Sequence, residues 1–444
     1  MSDRHPRDRL QRQLTLSDAT LLVVSSVIGV GIFLTPGAVA DALPHPAAFL
    51  LAWLVGGLLS LSGALANAEL GAMYPHAGGN YVYLREAWHP AAGFVAGWLS
   101  FFVIYAGTIA TLAVGFAEGM ANFVVLDETG RTAVAVAMTA AASAVNYRGV
   151  RLGATVNNVT AVAKIAALLA LAVVGPALGG GDADNLALVP PGDARVSLAS
   201  FGLALSPVLF SYLGWNASVF VASEIRTPAR NVPRSLFLGL GICIGIYLLV
   251  NVAYLYALPI EQMRGLVRSG EAAARVLFGE AGAAMTSALI LASILSCLNA
   301  TILVGPRIVY AMALDGLLPS AMSRVHPRYA TPHVAVLAQA ITAIVLIVLL
   351  RRFPSVLDYT TFAIVLATMA DTAALYALRR KQPHHARPYR AWGYPVLPAL
   401  YLLANAAVAG VMLWGRPLEC LSALAVASTA VPAYLLMRRR SARA

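Results

Sequence analysis

Residues 25–40 read Ser25-Ser26-Val27-Ile28-Gly29-Val30-Gly31-Ile32-Phe33-Leu34-Thr35-Pro36-Gly37-Ala38-Val39-Ala40. The run is apolar enough to cross a bilayer, yet two glycines and a Pro-Gly pair interrupt it. Gly29 and Gly31 stand two apart and do not share one helical face, as a small-residue packing motif requires. Inside a membrane, backbone that leaves a helix must be buried in protein or line a cavity, because lipid pairs neither N–H nor C=O. The stretch therefore predicts a helix broken at mid-membrane. Where it resumes, the N–H groups of Val30, Gly31 and Ile32 are free to meet a carboxylate. Where it stops, the carbonyls of Val27 and Ile28 are free to meet an ammonium.

A second stretch, residues 205–224, reads LSPVLFSYLGWNASVFVASE. Its centre mixes Gly214 with the aromatics Phe210, Tyr212 and Trp215. The signal is weak alone and gains from its position. If the first five spans form one repeat, this one opens the second, and matched interruptions in two halves point to a transporter binding site. The carbonyls of Phe210, Ser211 and Leu213 add acceptors. Two broken helices side by side suit a small zwitterion without a charged side chain in the bilayer.

The rest of the chain fits that setting. Of 444 residues, 59% are hydrophobic and 11% charged, against about 25% charged in ordinary soluble proteins. A soluble multidomain enzyme and a disordered chain are both excluded. Twelve apolar segments are predicted, at 16–40, 46–72, 90–123, 131–147, 153–178, 197–223, 234–258, 273–313, 332–350, 355–379, 394–414 and 417–437. The longest break, 179–196, reads as an external loop. The expected organisation is a cytoplasmic tail (1–15), a first inverted repeat (16–178), a second (197–379), two further helices (394–437) and a second cytoplasmic tail (438–444). The polar, basic N-terminus reads as a retained tail and not as a signal peptide.

Charge placement sets the orientation. Of the 31 Lys and Arg residues, 22 fall on the side of the N-terminus, 8 on the other, and Lys164 inside a span. The expectation is a multi-pass cell-membrane protein with both termini cytoplasmic. The net charge of +11 reflects this asymmetry and implies no nucleic-acid partner.

With these residues in view, the sequence resembles the amino acid–polyamine–organocation (APC) permeases, most of all their L-type amino acid transporter branch and its bacterial relatives. IGVGIF with TPG resembles the family's unwound first helix, and LFSYLGWN its sixth-helix break. PHAGGNYVYLREAWHP (Pro75, Gly78, Gly79, Tyr81, Tyr83, Glu86), SEIRTPARNVPRSL, RIVYAMALDGLLP and HPRYATP follow in the family's order. The resemblance implies the leucine-transporter fold: an all-α polytopic protein of twelve helices, with a 5+5 inverted repeat and discontinuous helices 1 and 6. It implies alternating access to a site built from Val27, Ile28, Gly29, Val30, Gly31, Ile32, Phe210, Ser211, Leu213 and Gly214. Phe210 is expected to close over the substrate and Trp215 to pack nearby, with Tyr359 lining the pocket. Leu213 stands where many relatives have glycine, which argues against bulky substrates. The family's animal members join a partner through a cysteine between helices 3 and 4. Residues 126–131 contain none, so no disulfide-linked partner is expected.

Lys164 lies about 11 residues into its helix, some 17 Å at about 1.5 Å per residue, too deep to snorkel. Ionisable groups at that depth are functional by default. In the family's sodium-independent members a lysine here replaces a sodium ion and bridges helices 1 and 8. That leaves two roles, proton carrier or fixed cation. Glu69, Glu118 and Asp371 read as helix-end or packing partners ahead of proton relays, Asn299 as an interhelical hydrogen-bonding residue, and Cys243, Cys297 and Cys420 as small packing residues. Glu224 with the arginines after it reads equally as a cytoplasmic gate or as solvated ends.

No nucleophile elbow, HExxH, P-loop, metal spacing or cofactor motif appears. The expected function is sodium-independent exchange or proton-coupled uptake of L-amino acids, neutral ones first. Rivals are a cationic amino acid or polyamine carrier, for which Glu118 is the only candidate acid, a non-transporting amino acid sensor, a membrane enzyme and a channel.

Overall fold

The computed structural model describes residues 8–120, 123–178, 180–187, 196–350 and 353–441. The expectations for 1–7, 442–444 and much of the 179–196 loop fall outside these residues. The described chain is helical throughout and contains no strand, only an isolated bridge between Leu14 and Ile225. A helix occupies each of the twelve apolar segments. Among the described residues, nine helical stretches are long and apolar enough to cross a membrane, and two shorter apolar helices, Leu198–Ser211 and His333–Leu349, accompany them.

Local chemistry accounts for the helix starts. Thr15 caps Leu16–Val27 in a reciprocal box with Asp18, whose carboxylate accepts from Thr15 N–H at 2.7 Å. Proline opens Pro46–Met73, Pro90–Leu99, Pro228–Ala257 and Pro417–Ser428, where its missing N–H costs nothing. The third segment ends at Gly119 and contains a π-helical stretch, Ser100–Tyr105. The eighth spans Ser269–Leu314 and bends twice, at Gly279, with φ 70°, and before Pro306.

Two segments are split where the glycines predict it. The first helix stops at Val27 and resumes as Gly31–Leu34, followed by Pro36–Ala42. The sixth stops at Ser211 and resumes as Ala217–Phe220. The first packs against the long Pro228–Ala257 helix and the sixth against both it and Pro46–Met73, and the two breaks meet at the centre of the bundle.

Candidate functional site

At the first break Ile28 leaves helical geometry, with φ −73° and ψ 86°, and Gly29 N–H turns back to the Val27 carbonyl at 2.8 Å. The N–H groups of Val30, Gly31 and Ile32 have no acceptor among the described residues. At the second break Gly214 adopts φ +97°, a conformation costly for any side-chain-bearing residue. A β-carbon on Gly214 would stand 2.6 Å from the Ser26 carbonyl oxygen, and one on Gly31 would stand 2.6 Å from Ser211 Oγ. These two glycines let the breaks touch. Ser211 Oγ then shares a hydrogen bond with Thr35 Oγ1 at 2.8 Å.

The free carbonyls are not all free. Lys164 Nζ, buried, donates to the carbonyls of Ser25 at 3.0 Å and Ile28 at 2.6 Å. Cys297 Sγ, on the eighth segment, donates to the Ser25 carbonyl at 3.0 Å and lies 3.9 Å from the lysine. Lys164 thus ties the first helix to the eighth, and Cys297 belongs to this knot, not to general packing. The Ile28 carbonyl expected to face an ammonium is already engaged, and the Ile28 and Ile32 side chains are fully buried away from the cavity. Tyr247 Oη lies 2.9 Å from the Val27 carbonyl and 2.9 Å from the Ser211 carbonyl. Nothing in the apolar run of the seventh segment distinguishes this tyrosine, which the sequence reading missed.

A cavity of about 170 Å³ opens between the breaks. Val27, Gly29, Val30, Gly31, Phe210, Ser211, Leu213 and Gly214 line it. The rest of its wall carries Ser100, Thr108, Thr111, Thr301, Thr360, Thr361 and Thr368, with Asn80, Tyr105, Asn216 and Phe220. Among the described residues no charged side chain lines it. Tyr359 does not; its neighbours Thr360 and Thr361 do, while Tyr359 packs against the Phe362 cluster.

A second cavity, of about 480 Å³, lies toward Arg416. Val30, Phe210, Leu213 and Thr361 line both and form the partition between them. Trp215 faces this second space, its ring edge-on to Tyr401 with centroids 6.1 Å apart. It therefore stands behind the partition and not at the first cavity.

The other end of the bundle is tied shut. Glu224 pairs with Arg307 of the eighth segment, Oε2–Nε 2.7 Å and Oε1–Nη2 3.0 Å, both side chains buried. The arginines following Glu224 are not its partners, which corrects the expectation from its local sequence. Leu14 N–H donates to the Glu224 carbonyl at 2.8 Å and Arg226 N–H to the Leu14 carbonyl at 2.9 Å. Asp315 takes Arg85 and the Tyr81 hydroxyl. Burial opposes the charge of Arg85, yet Asp315 pushes its pKa upward. Glu69 holds Arg379 at 2.6 Å, Arg387 at 3.1 Å and the Ala391 N–H at 2.6 Å. Burial, with the Glu86 carboxylate, pushes the Tyr74 phenol up to about 12, so it stays a donor to Gln382.

The remaining polar residues divide. Asn299 accepts from Asn146 at 2.8 Å and donates to the Gly153 carbonyl at 3.0 Å, the interhelical role expected of it. Glu118 is exposed and does not line the cavity, which removes the candidate acid of the cationic-carrier reading. Asp371 is buried, and neither of its oxygens has a hydrogen-bond partner among the described residues, contrary to a packing-partner role.

Comparison with known proteins follows the same geometry. The family model described as amino acid permease matches residues 14–421. The chain is 31% identical to the serine/threonine exchanger SteT of Bacillus subtilis (strain 168), covering 99% of this chain and 100% of that protein. It is 28% identical to the large neutral amino acids transporter small subunit 2 of Homo sapiens, covering 96% of this chain and 80% of that protein. It is likewise 28% identical to the Homo sapiens b(0,+)-type amino acid transporter 1, over 89% and 81% of the two chains.

Proposed function

Since the chain belongs to the amino acid permease family of the APC superfamily, close to the L-type branch and its bacterial relatives, we propose that it exchanges small neutral L-amino acids across the cell membrane without sodium. Its fold is the APC fold and its work is amino acid transport, not enzymatic catalysis. The observation that carries the finer reading is the meeting of two broken helices around a cavity with bare N–H groups and no charged wall.

In this reading the substrate carboxylate meets the N–H groups of Gly31 and Ile32, whose partners are absent because the helix restarts there. The ammonium meets the Ser26 and Leu213 carbonyls at the stopping ends, together with whichever of the Val27 and Ser211 carbonyls Tyr247 leaves free. A single hydroxyl proton serves two acceptors, so one of them is always without the hydroxyl's hydrogen bond. The threonine-rich wall and the Leu213 side chain favour a small, hydroxylated side chain of serine or threonine size. The name of the Bacillus relative supports the same class.

Lys164 acts as a fixed cation in place of sodium, since its ammonium holds the carbonyls at the end of the first helix half. Phe210 gates the Arg416 side. The Glu224–Arg307 pair gates the basic side, which the Lys and Arg distribution assigns to the cytoplasm together with both termini. Twelve spans in two five-helix repeats plus two helices complete the proposed architecture.

The test is reconstitution in liposomes with labelled amino acids, with and without internal amino acid, sodium or a pH gradient. Serine or threonine uptake that requires internal amino acid and ignores sodium is the expected result. A sodium requirement, or a preference for arginine, overturns the reading. Binding without flux gives the sensor instead. A second reading, proton-linked uptake, is favoured by the unpartnered acid on the tenth segment.

A further inference from the structure

Asp371 occupies the tenth segment one turn beyond Ala367 and Thr368, both of which line the cavity. It sits two turns short of Arg379, on the path from the cavity to the basic end. The side chain is fully buried, and neither carboxyl oxygen has a hydrogen-bond partner among the described residues. Three tyrosines from three other elements stand within electrostatic range of its carboxyl: Tyr83 of Asn80–Ala87, Tyr105 of the third segment and Tyr401 of Val396–Gly415. Tyr105 also lines the cavity.

The surrounding polar atoms are waiting as well. Among the described residues the Tyr83 hydroxyl has no hydrogen-bond partner, and it lies over Gly71 of the Pro46–Met73 helix. One turn earlier on that helix, Asn67 is buried with both amide atoms likewise unpartnered. Among the described residues no cation pairs with the acid. Arg379 and Arg387 are held by Glu69, and Arg85 by Asp315 and Glu86. The Pro417–Ser428 helix brings only Glu419, in its first turn.

A bare carboxylate in such a place is strongly penalised, and the usual escape is to carry a proton. A metal ion is a poorer fit, because hard cations require several oxygens converging on them at about 2.0–2.6 Å. Among the described residues no group of three or more His, Cys, Asp or Glu is placed to hold one. We propose that Asp371 is a proton-binding site of the transport cycle. Its carboxyl holds the proton while the basic end is closed, as in this structure. When that end opens and water arrives, the O–H bond breaks, the proton passes to water and the carboxylate remains. The chain thereby couples a proton to the amino acid transport step. This rests on the transport reading above and deepens it.

The experiment compares wild type with Asp371→Asn in proteoliposomes, each measured with and without an imposed pH gradient. Wild type is expected to respond several-fold to the gradient, and Asp371→Asn to lose that ratio. A retained ratio in Asp371→Asn overturns the site. So does wild type that exchanges amino acids but ignores pH, an outcome that leaves the exchange reading intact. If no amino acid crosses at all, the transport reading fails. The site is then judged by infrared difference spectra of the purified protein between acid and alkaline pH. A carboxylic C=O band absent from Asp371→Asn supports it, and an unchanged spectrum overturns it. Should Asp371→Asn not fold, Asp371→Glu replaces it, with a displaced pH midpoint expected and an unmoved midpoint overturning the assignment. A response to sodium or potassium in place of protons also overturns it.

Discussion

Tyr247 joins Val27 to Ser211: its hydroxyl oxygen stands 2.9 Å from each carbonyl, the last residues of the two helix halves before their breaks. The ring is held edge-on to Trp53, with centroids 5.6 Å apart, and close to Tyr212 at 5.0 Å. Position is therefore set by packing and chemistry by one proton.

Tyr247→Phe keeps that packing and removes the proton. The Ser211 carbonyl then loses its Tyr247 donor while the Val27 carbonyl keeps only the Gly29 N–H, at a cost of about 1–3 kcal/mol for an unmet buried group. Apparent substrate affinity should change by roughly tenfold, since about 1.4 kcal/mol is a factor of ten. Thermal stability should fall only modestly. Concentration-dependent uptake in proteoliposomes checks this. Unaltered kinetics would remove Tyr247 from the site.

Lys164→Ala leaves the Ser25 and Ile28 carbonyls facing an empty space. The loss of charge-assisted hydrogen bonds, each about 1.5–3 kcal/mol, loosens the end of the first helix half. Exchange should drop by more than tenfold while the protein still purifies as a folded monodisperse species. Wild-type uptake rates in this variant would show that the lysine is mere packing. Sodium added to either variant or wild type should have no effect.

Glu224→Gln breaks a buried pair, and leaving Arg307 uncompensated costs about 3–5 kcal/mol in the closed form. The basic end should open more often. In a Cys243→Ser, Cys420→Ser background, Cys297 at the cavity wall should then react several-fold faster with a thiol reagent supplied from that side. Unchanged reactivity would mean that the pair is not a gate.

Leu213 borders both cavities. Leu213→Gly should enlarge the first and admit larger neutral amino acids, with leucine or methionine raising the melting temperature where wild type shows no shift. A ligand that binds the folded state at 100 times its Kd stabilises by about 2.7 kcal/mol. An unchanged substrate panel would place the specificity determinant elsewhere, on the threonine wall.

The breaks were legible because glycine and proline are local statements about backbone, and the bilayer forbids idle use of them. Lys164 was legible for the same reason, as a lone cation in an apolar run. Tyr247, Thr360 and Thr361 were not, because a polar residue inside a helix declares no direction until its neighbours are packed. Tyr359 and Thr360 are adjacent, and only the helix phase decides which reaches the cavity. The Ile28 carbonyl was assigned to the wrong donor because backbone acceptors leave no mark in sequence. Glu69 and Asp371 look alike along the chain. One is ringed by two arginines and an amide, the other by nothing charged, and partners 300 residues away make the difference.

The pairing of Leu14 with the residues either side of Ile225 has a mechanical meaning. The stretch leading into the first helix and the stretch leaving the sixth are stitched by two peptide bonds' worth of ladder, and Glu224 at the seam also grips Arg307. The two half-helices below the breaks are thus one lever with a single handle. In the proposed transport cycle they are expected to swing together, which disfavours intermediate shapes with only one of them displaced and a partly leaky pore through the centre.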